Sequence, residues 1–147
     1  AAMWCPPIAE EGENIVIMSV ISAMMLRFYQ AGEVTALCEK AIERIKEGIA
    51  LYKKIRNDIN EAIPFYPLGI TKFGDKYFCT GYRCSDKTYL CVWHLDGEED
   101  EKFIPLENVT SAKILYPSYC SYGKVRLCDG GIKVATSENT ALFIEIR

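Results

Sequence analysis

Ile63-Pro64-Phe65-Tyr66-Pro67 is where the apolar period of the chain changes. Proline lacks the amide hydrogen a helix needs, and its ring clashes with the preceding turn, so Pro64 and Pro67 end any helix that reaches them. Just upstream, Cys38, Ile42, Ile45, Ile49, Tyr52, Ile55 and Ile59 recur three or four residues apart. That spacing predicts an amphipathic helix with one apolar stripe. Its opposite face carries Glu39, Lys40, Glu43, Arg44, Lys46, Glu47, Lys53, Lys54 and Arg56. Lys53, Lys54 and Arg56 invite a phosphate-binding reading, but interleaved acids along the same helix make it a solvated face.

After Pro67 the period is two. Candidate strands are 76–82, 88–95, 102–105, 109–116, 124–128, 132–135 and 141–146, separated by turn signals such as Asp96-Gly97, Glu107-Asn108, Asp129-Gly130-Gly131 and Ser137-Glu138-Asn139. Short strands at this spacing predict an antiparallel sandwich or barrel. The clearest hairpin is 127–132, and Asp129-Gly130-Gly131 reads as its turn rather than as a ligand site. Sugars stack on aromatic rings, and this half is rich in tyrosine and tryptophan. Alternation nevertheless puts Tyr89, Cys91, Trp93 and Leu95 on one face, so Trp93 is expected in the core.

Upstream of the amphipathic helix, residues 13–30 are apolar at almost every angle of a helical wheel, with Gly32 following as a C-cap. A helix apolar all round must be covered on all sides. The chain offers little to do this, which suggests a missing partner surface. The longest apolar stretch, Ile15 to Leu26, is about 12 residues long, short of the ~20 needed to cross a bilayer. The opening Ala1-Ala2-Met3-Trp4-Cys5-Pro6-Pro7 has no basic segment leading into an apolar core, so no signal peptide is expected. The chain reads as beginning partway through something larger.

Composition sets outer limits. At 147 residues, half of them apolar and 25% charged, the chain can bury a real core. A net charge of −3 gives no basic footprint for nucleic acid or an anionic membrane. The seven cysteines (Cys5, Cys38, Cys79, Cys84, Cys91, Cys120 and Cys128) are an odd number without a Cys-x-x-Cys pair. They read as reduced, mostly buried thiols in a cytoplasmic protein. His94, the single histidine, lies in an apolar run, and no metal or cofactor is expected.

No catalytic set emerges. Glycoside hydrolysis needs two carboxylates flanking the scissile bond. Glu10, Glu11 and Glu13 precede a helix, where acids meet the positive end of its dipole. Glu98, Glu99, Asp100 and Glu101 lie in a polar turn where no burial would raise a pKa. Nothing singles out a thiol near His94, and no Gly-x-Ser-x-Gly elbow or phosphate-cradling loop is present. Trp4, in an irregular proline-flanked segment, has no obvious structural employment.

The order of parts resembles a known family. Trp-Cys-Pro-Pro (4–7) leads to an apolar helix ending Met-Leu-Arg-Phe-Tyr-Gln-Ala-Gly (25–32). Then come Ile-Lys-Glu-Gly-Ile-Ala-Leu-Tyr-Lys-Lys-Ile-Arg (45–56), Ile-Pro-Phe-Tyr-Pro-Leu-Gly-Ile (63–70) and a strand-rich tail ending Leu-Phe-Ile-Glu-Ile-Arg. This is similar to the C-terminal end of the α-galactosidases of glycoside hydrolase family 36, most closely over 4–70. The sibling enzymes of family 27 share the same barrel-plus-sandwich plan.

The resemblance implies an α+β fragment. Residues 1–62 would be the last loop and closing helices of a (β/α)8 barrel, and 63–147 an antiparallel β-sandwich. It also implies a retaining enzyme acting on terminal α-galactosides in oligosaccharides. The two catalytic aspartates would sit on earlier barrel strands, so no catalytic residue is expected in this chain. Its expected partners are the missing N-terminal barrel, the α-galactoside substrate and other copies of itself as a homo-oligomer. No nucleic acid or membrane partner is expected. Barrel active sites lie at the C-terminal ends of the strands, so Trp4 becomes a candidate substrate-binding residue in the last such loop. The stretch Cys79-Thr-Gly-Tyr-Arg-Cys84 departs from the family pattern. Two other readings stand beside this one. One is a stand-alone sandwich that binds carbohydrate or protein without catalysis, and the other is a degenerate frame without activity. A stand-alone module should be monomeric, whereas a severed barrel end should expose the 13–30 helix.

Overall fold

The structure, a computed structural model, describes residues 2–5, 12–97, 101–119, 121 and 123–147, with 2–4 described by their backbone. Glu10, Glu11, Glu98, Glu99, Asp100 and Cys120 lie outside the described residues. The chain begins with a strand, β1 (Ala2–Cys5), and continues through helix α1 (Glu13–Met24) to strand β2 (Arg27–Gln30). β1 and β2 pair in parallel, with Ala2 opposite Arg27 and Cys5 opposite Gln30. A short 3-10 turn (Val34–Ala36) then leads into helix α2 (Glu39–Glu61).

Two expectations are corrected here. The helix predicted to reach Gln30 ends at Met24, and the next four residues form a strand. Burial alternates along them: Phe28 packs on Tyr52 with ring centroids 5.6 Å apart, while Arg27 and Tyr29 are exposed. Four residues are too few for that alternation to show in a sequence window, and pairing with β1 overrides the upstream helical period. The segment around Trp4, read as a loop, is β1. Its backbone hydrogen bonds are made to β2.

The second correction concerns the cover of α1. Val16, Ile17, Val20, Ile21, Ala23 and Met24 are fully buried, as an all-round apolar helix requires. The covering surface comes from this chain itself, because α1 packs against β1, α2 and the last strand of the molecule, β10 (Thr140–Ile146). Gly48 on α2 lets the two helices approach closely, since a Cβ there would overlap Val20 Cγ1. Lys53, Lys54 and Arg56 lie on the exposed face of α2.

The remaining strands are β3 (Ile63–Phe65), β4 (Tyr77–Arg83), β5 (Thr88–His94), β6 (Lys102–Pro105), β7 (Ala112–Tyr116), β8 (Gly123–Cys128) and β9 (Gly131–Thr136). They build an antiparallel five-stranded sheet in the order β3-β4-β5-β10-β7 and a three-stranded sheet in the order β6-β9-β8. β3 was not foreseen; its Pro64 is tolerated because β3 is an edge strand. One face of the large sheet, with Tyr82, Tyr89, Cys91, Trp93 and Phe143, packs under the helices. The other face, with Leu90, Val92, Leu142 and Ile144, packs on Ile104, Ile132 and Val134 of the small sheet. The molecule is therefore three layers: helices, large sheet, small sheet. Covering both faces explains why β5 and β10 are nearly continuous apolar runs. Trp93 is 4% exposed and stacks on Phe78 at 5.0 Å, as a core residue. Leu95 departs from the expected core stripe, because β5 ends at His94 and Leu95 is exposed.

Candidate functional site

In strand–helix–strand units, ligands bind outside the carboxyl ends of the strands, where the helix N-termini also lie. Here that end is formed by Cys5, Gln30 and Ala31. Gln30 Nε2 donates to the carbonyls of Cys5 and Ala31, each at 3.0 Å, and the amide of Ala31 donates to Cys5 O at 3.1 Å. One side chain thus locks the ends of both strands together. Gln30 Oε1 is buried and has no hydrogen-bond partner among the described residues, which leaves one acceptor at the strand ends. Gly32, with φ of 82°, turns the chain away just beyond. Glu13, in the first turn of α1, lies 3.0 Å from Arg44 Nε as a charge contact without an aligned hydrogen bond, and Arg44 also pairs with Glu47.

Trp4 is the penultimate residue of β1, in register with Tyr29. Its side chain lies outside the described part. Phe28 points into the core, so Tyr29, its neighbour, belongs to the opposite face of the pair, where it is 46% exposed. Among the described residues, Cys5, Gln30 and Ala31 at these strand ends carry no carboxylate of the kind a glycosidase acid and nucleophile pair needs.

Other reactive groups are occupied by structural work. His94 is buried, with Nδ1 2.8 Å from Thr136 O and Nε2 3.0 Å from Gly97 O, and its ring stacks on Tyr77 at 4.3 Å. Among the described residues it pairs with no thiol. Burial pushes the Cys5 thiol up to about 11 and those of Cys79 and Cys91 higher still, which removes the thiolate a nucleophile needs. The six described cysteines are free thiols; Cys5, Cys79 and Cys91 are buried, whereas Cys84 and Cys128 are half-buried and Cys38 is exposed. Among the described residues no group of three or more His, Cys, Asp or Glu could hold a metal ion. No helix among them is long and apolar enough to cross a membrane.

The most perturbed charges sit on the seam between α2 and the large sheet. Asp58 Oδ2 accepts from Tyr89 Oη and from Lys87 Nζ, each at 3.0 Å. The Lys87 hydrogen bond holds the Asp58 carboxyl below its ordinary value, and the same bond raises Lys87. Burial first, then Asp58, raises the Tyr89 hydroxyl. Lys87 bridges Asp58 and, at 3.6 Å, Asp86, so the cluster acts as a clamp joining helix to sheet. Glu101, from the acidic turn, is likewise engaged, in a two-point contact with Arg126 at 3.0 and 2.7 Å.

No family model and no curated protein matches the sequence. Solved structures match by fold. The α-galactosidase AgaA of Geobacillus stearothermophilus, a family 36 enzyme in complex with raffinose, superposes on 100% of this chain and 21% of its own, with TM-score 0.66 and 13% identity. This chain has the fold of the C-terminal domain of family 36 enzymes. The galactosidase domain of AgaSK, an α-galactosidase–sucrose kinase, covers 89% of the chain and 19% of its own at TM-score 0.61 and 18% identity. An α-amylase of Geobacillus thermoleovorans, complexed with acarbose, covers 98% and 37% at TM-score 0.61 and 9% identity. The chain thus spans about a fifth of the length of these α-galactosidases. An amylase shares the architecture as well, so the likeness is one of fold.

Proposed function

We propose that this chain is the C-terminal part of a retaining, α-galactosidase-like glycosidase that removes terminal α-galactose from oligosaccharides. The observation that carries this reading is β1–α1–β2–α2. It consists of two consecutive strand–helix units with parallel strands, and β1 and β2 pair only with each other among the described residues. Parallel sheets are stable when both faces are covered and the strands continue. Here the second face exposes Arg27 and Tyr29. A barrel continuing on both sides would pair the outer edges and cover that face.

In this reading residues 1–62 complete the barrel wall, and 63–147 form a sandwich that buttresses it through the shared core of α1, α2 and the large sheet. No catalytic residue lies in this chain. Acid and nucleophile come from two aspartates on the preceding barrel strands, as the family resemblance implies. Trp4, one residue from the C-terminal end of β1, helps wall the galactose pocket. Location in the cytoplasm is part of the proposal and rests on the number of free thiols.

One observation favours a second reading, a self-contained module without catalysis: six of the twelve residues of α1, among them Val16, Ile17, Val20 and Ile21, are already buried within the chain. The two are separated by joining the chain to the reading frame that precedes it and assaying release of galactose. Trp4→Ala in that protein should raise KM or lower kcat. Unchanged kinetics would remove Trp4 from the pocket, and absent hydrolysis would favour the module.

A further inference from the structure

Away from the strand ends, a groove of about 1150 Å3 lies where one edge of the large sheet meets the turns of the small sheet. Its floor and walls come from β3, β4, the loop after β6 and the β8–β9 turn, elements distant in sequence. Phe65 lies against the backbone of Gly81, where any Cβ would overlap its ring, and Arg83 covers Phe65 with its guanidinium carbon 4.3 Å from the ring centroid. Tyr66 lines the groove as well and is more than half exposed. Glu107, Asn108 and Asp129 line the same groove, and none of the three side chains has a hydrogen-bond or ion-pair partner among the described residues.

The lining defines the ligand by chemistry. Its formal charge is −1, from Glu107 and Asp129 against Arg83, which disfavours phosphate, nucleic acid and acidic peptides. Two carboxylates and an amide offer acceptors set around an exposed ring, which suits a flat neutral molecule with many hydroxyl donors. The volume lies just above the ~300–1,000 Å3 range of small-molecule sites, which is room for an oligosaccharide. We propose that this groove binds a neutral oligosaccharide, one sugar ring stacked on Tyr66 and its hydroxyls held by Glu107, Asn108 and Asp129. The sugar class rests partly on the glycosidase reading. The site itself is separate from the strand ends and would hold substrate near the enzyme without acting on it.

The test is an amide NMR titration of this chain with manninotriose. Saturable shifts in the millimolar range confined to 65–66, 83, 105–109 and 128–131 are expected. Tyr66→Ala should weaken binding about threefold to tenfold, the size of one lost ring contact. Asp129→Asn should weaken it as well, and both residues are exposed, so both variants should keep the wild-type spectrum elsewhere. No saturable shift overturns the proposal. So do shifts that gather around Cys5 and Gln30, or wild-type affinity in both variants. None of these results bears on galactose release by the protein joined to its preceding reading frame, so the two ideas fail separately.

Discussion

Gly48→Ala should destabilise the protein, against the usual rule. In the middle of an exposed helix that change gains about 1 kcal/mol, because glycine costs backbone entropy. At Gly48 the new Cβ would overlap Val20 Cγ1 and stand 3.5 Å from Tyr116 Cε2. Val20 and Tyr116 are both 0% exposed, so neither has open space to enter. Valine in a helix also keeps essentially one χ1 rotamer. Overpacking costs about 1–3 kcal/mol, and so deep an overlap belongs at the upper end. Setting ~3 kcal/mol against the ~1 kcal/mol gain leaves a loss of about 2 kcal/mol. For a chain of this size that lowers Tm by about 4–8 °C. Thermal and urea unfolding followed by circular dichroism would measure it. A second variant, Val20→Ala with Gly48→Ala, removes the obstructing methyl. The pair should be more stable than the sum of the single changes by about 1–2 kcal/mol. A Gly48→Ala protein that melts at or above the wild-type temperature would refute the packing of α1 on α2 described above.

Three further outcomes follow from particular contacts. Asp58 is held below its ordinary value of 3.8, so its contribution is present above that pH and is lost as pH falls through the depressed value; Asp58→Asn should flatten this acid limb of the stability curve. His94→Ala should cost about 2–3 kcal/mol in urea unfolding, because it removes the ring nitrogens that lie against the carbonyls of Thr136 and Gly97 and leaves a hole beside Tyr77. Of the six described cysteines, a thiol reagent at neutral pH should label Cys38 first and reach Cys5, Cys79 and Cys91 only after unfolding; rapid native labelling of any of those three would contradict their burial.

The second half of the fold was legible because its strands are five to seven residues long or lie between clear turns. Thr88–His94 alternates between two buried faces, and Asp129-Gly130 closes β8 onto β9 where expected. The parallel pair was hidden. β1 and β2 are four residues each, and β2 follows directly on an apolar helix whose period masks it. The all-round apolar character of α1 called for cover, but sequence cannot say which surface supplies it. That surface is shared by β1, α2 and β10, the last more than a hundred residues away. The groove was illegible for a similar reason. Glu107, Asn108 and Asp129 read singly as turn residues, and only the tertiary fold brings them to one groove with Tyr66.

The most direct test of the glycosidase reading is to express this chain with the reading frame that precedes it and follow a terminal α-galactoside by NMR. The prediction is release of galactose with the α anomer formed first, lost when either of two strand-end aspartates in the added portion is changed to asparagine. A folded protein that releases no galactose, or a start codon immediately before Ala1, would contradict it.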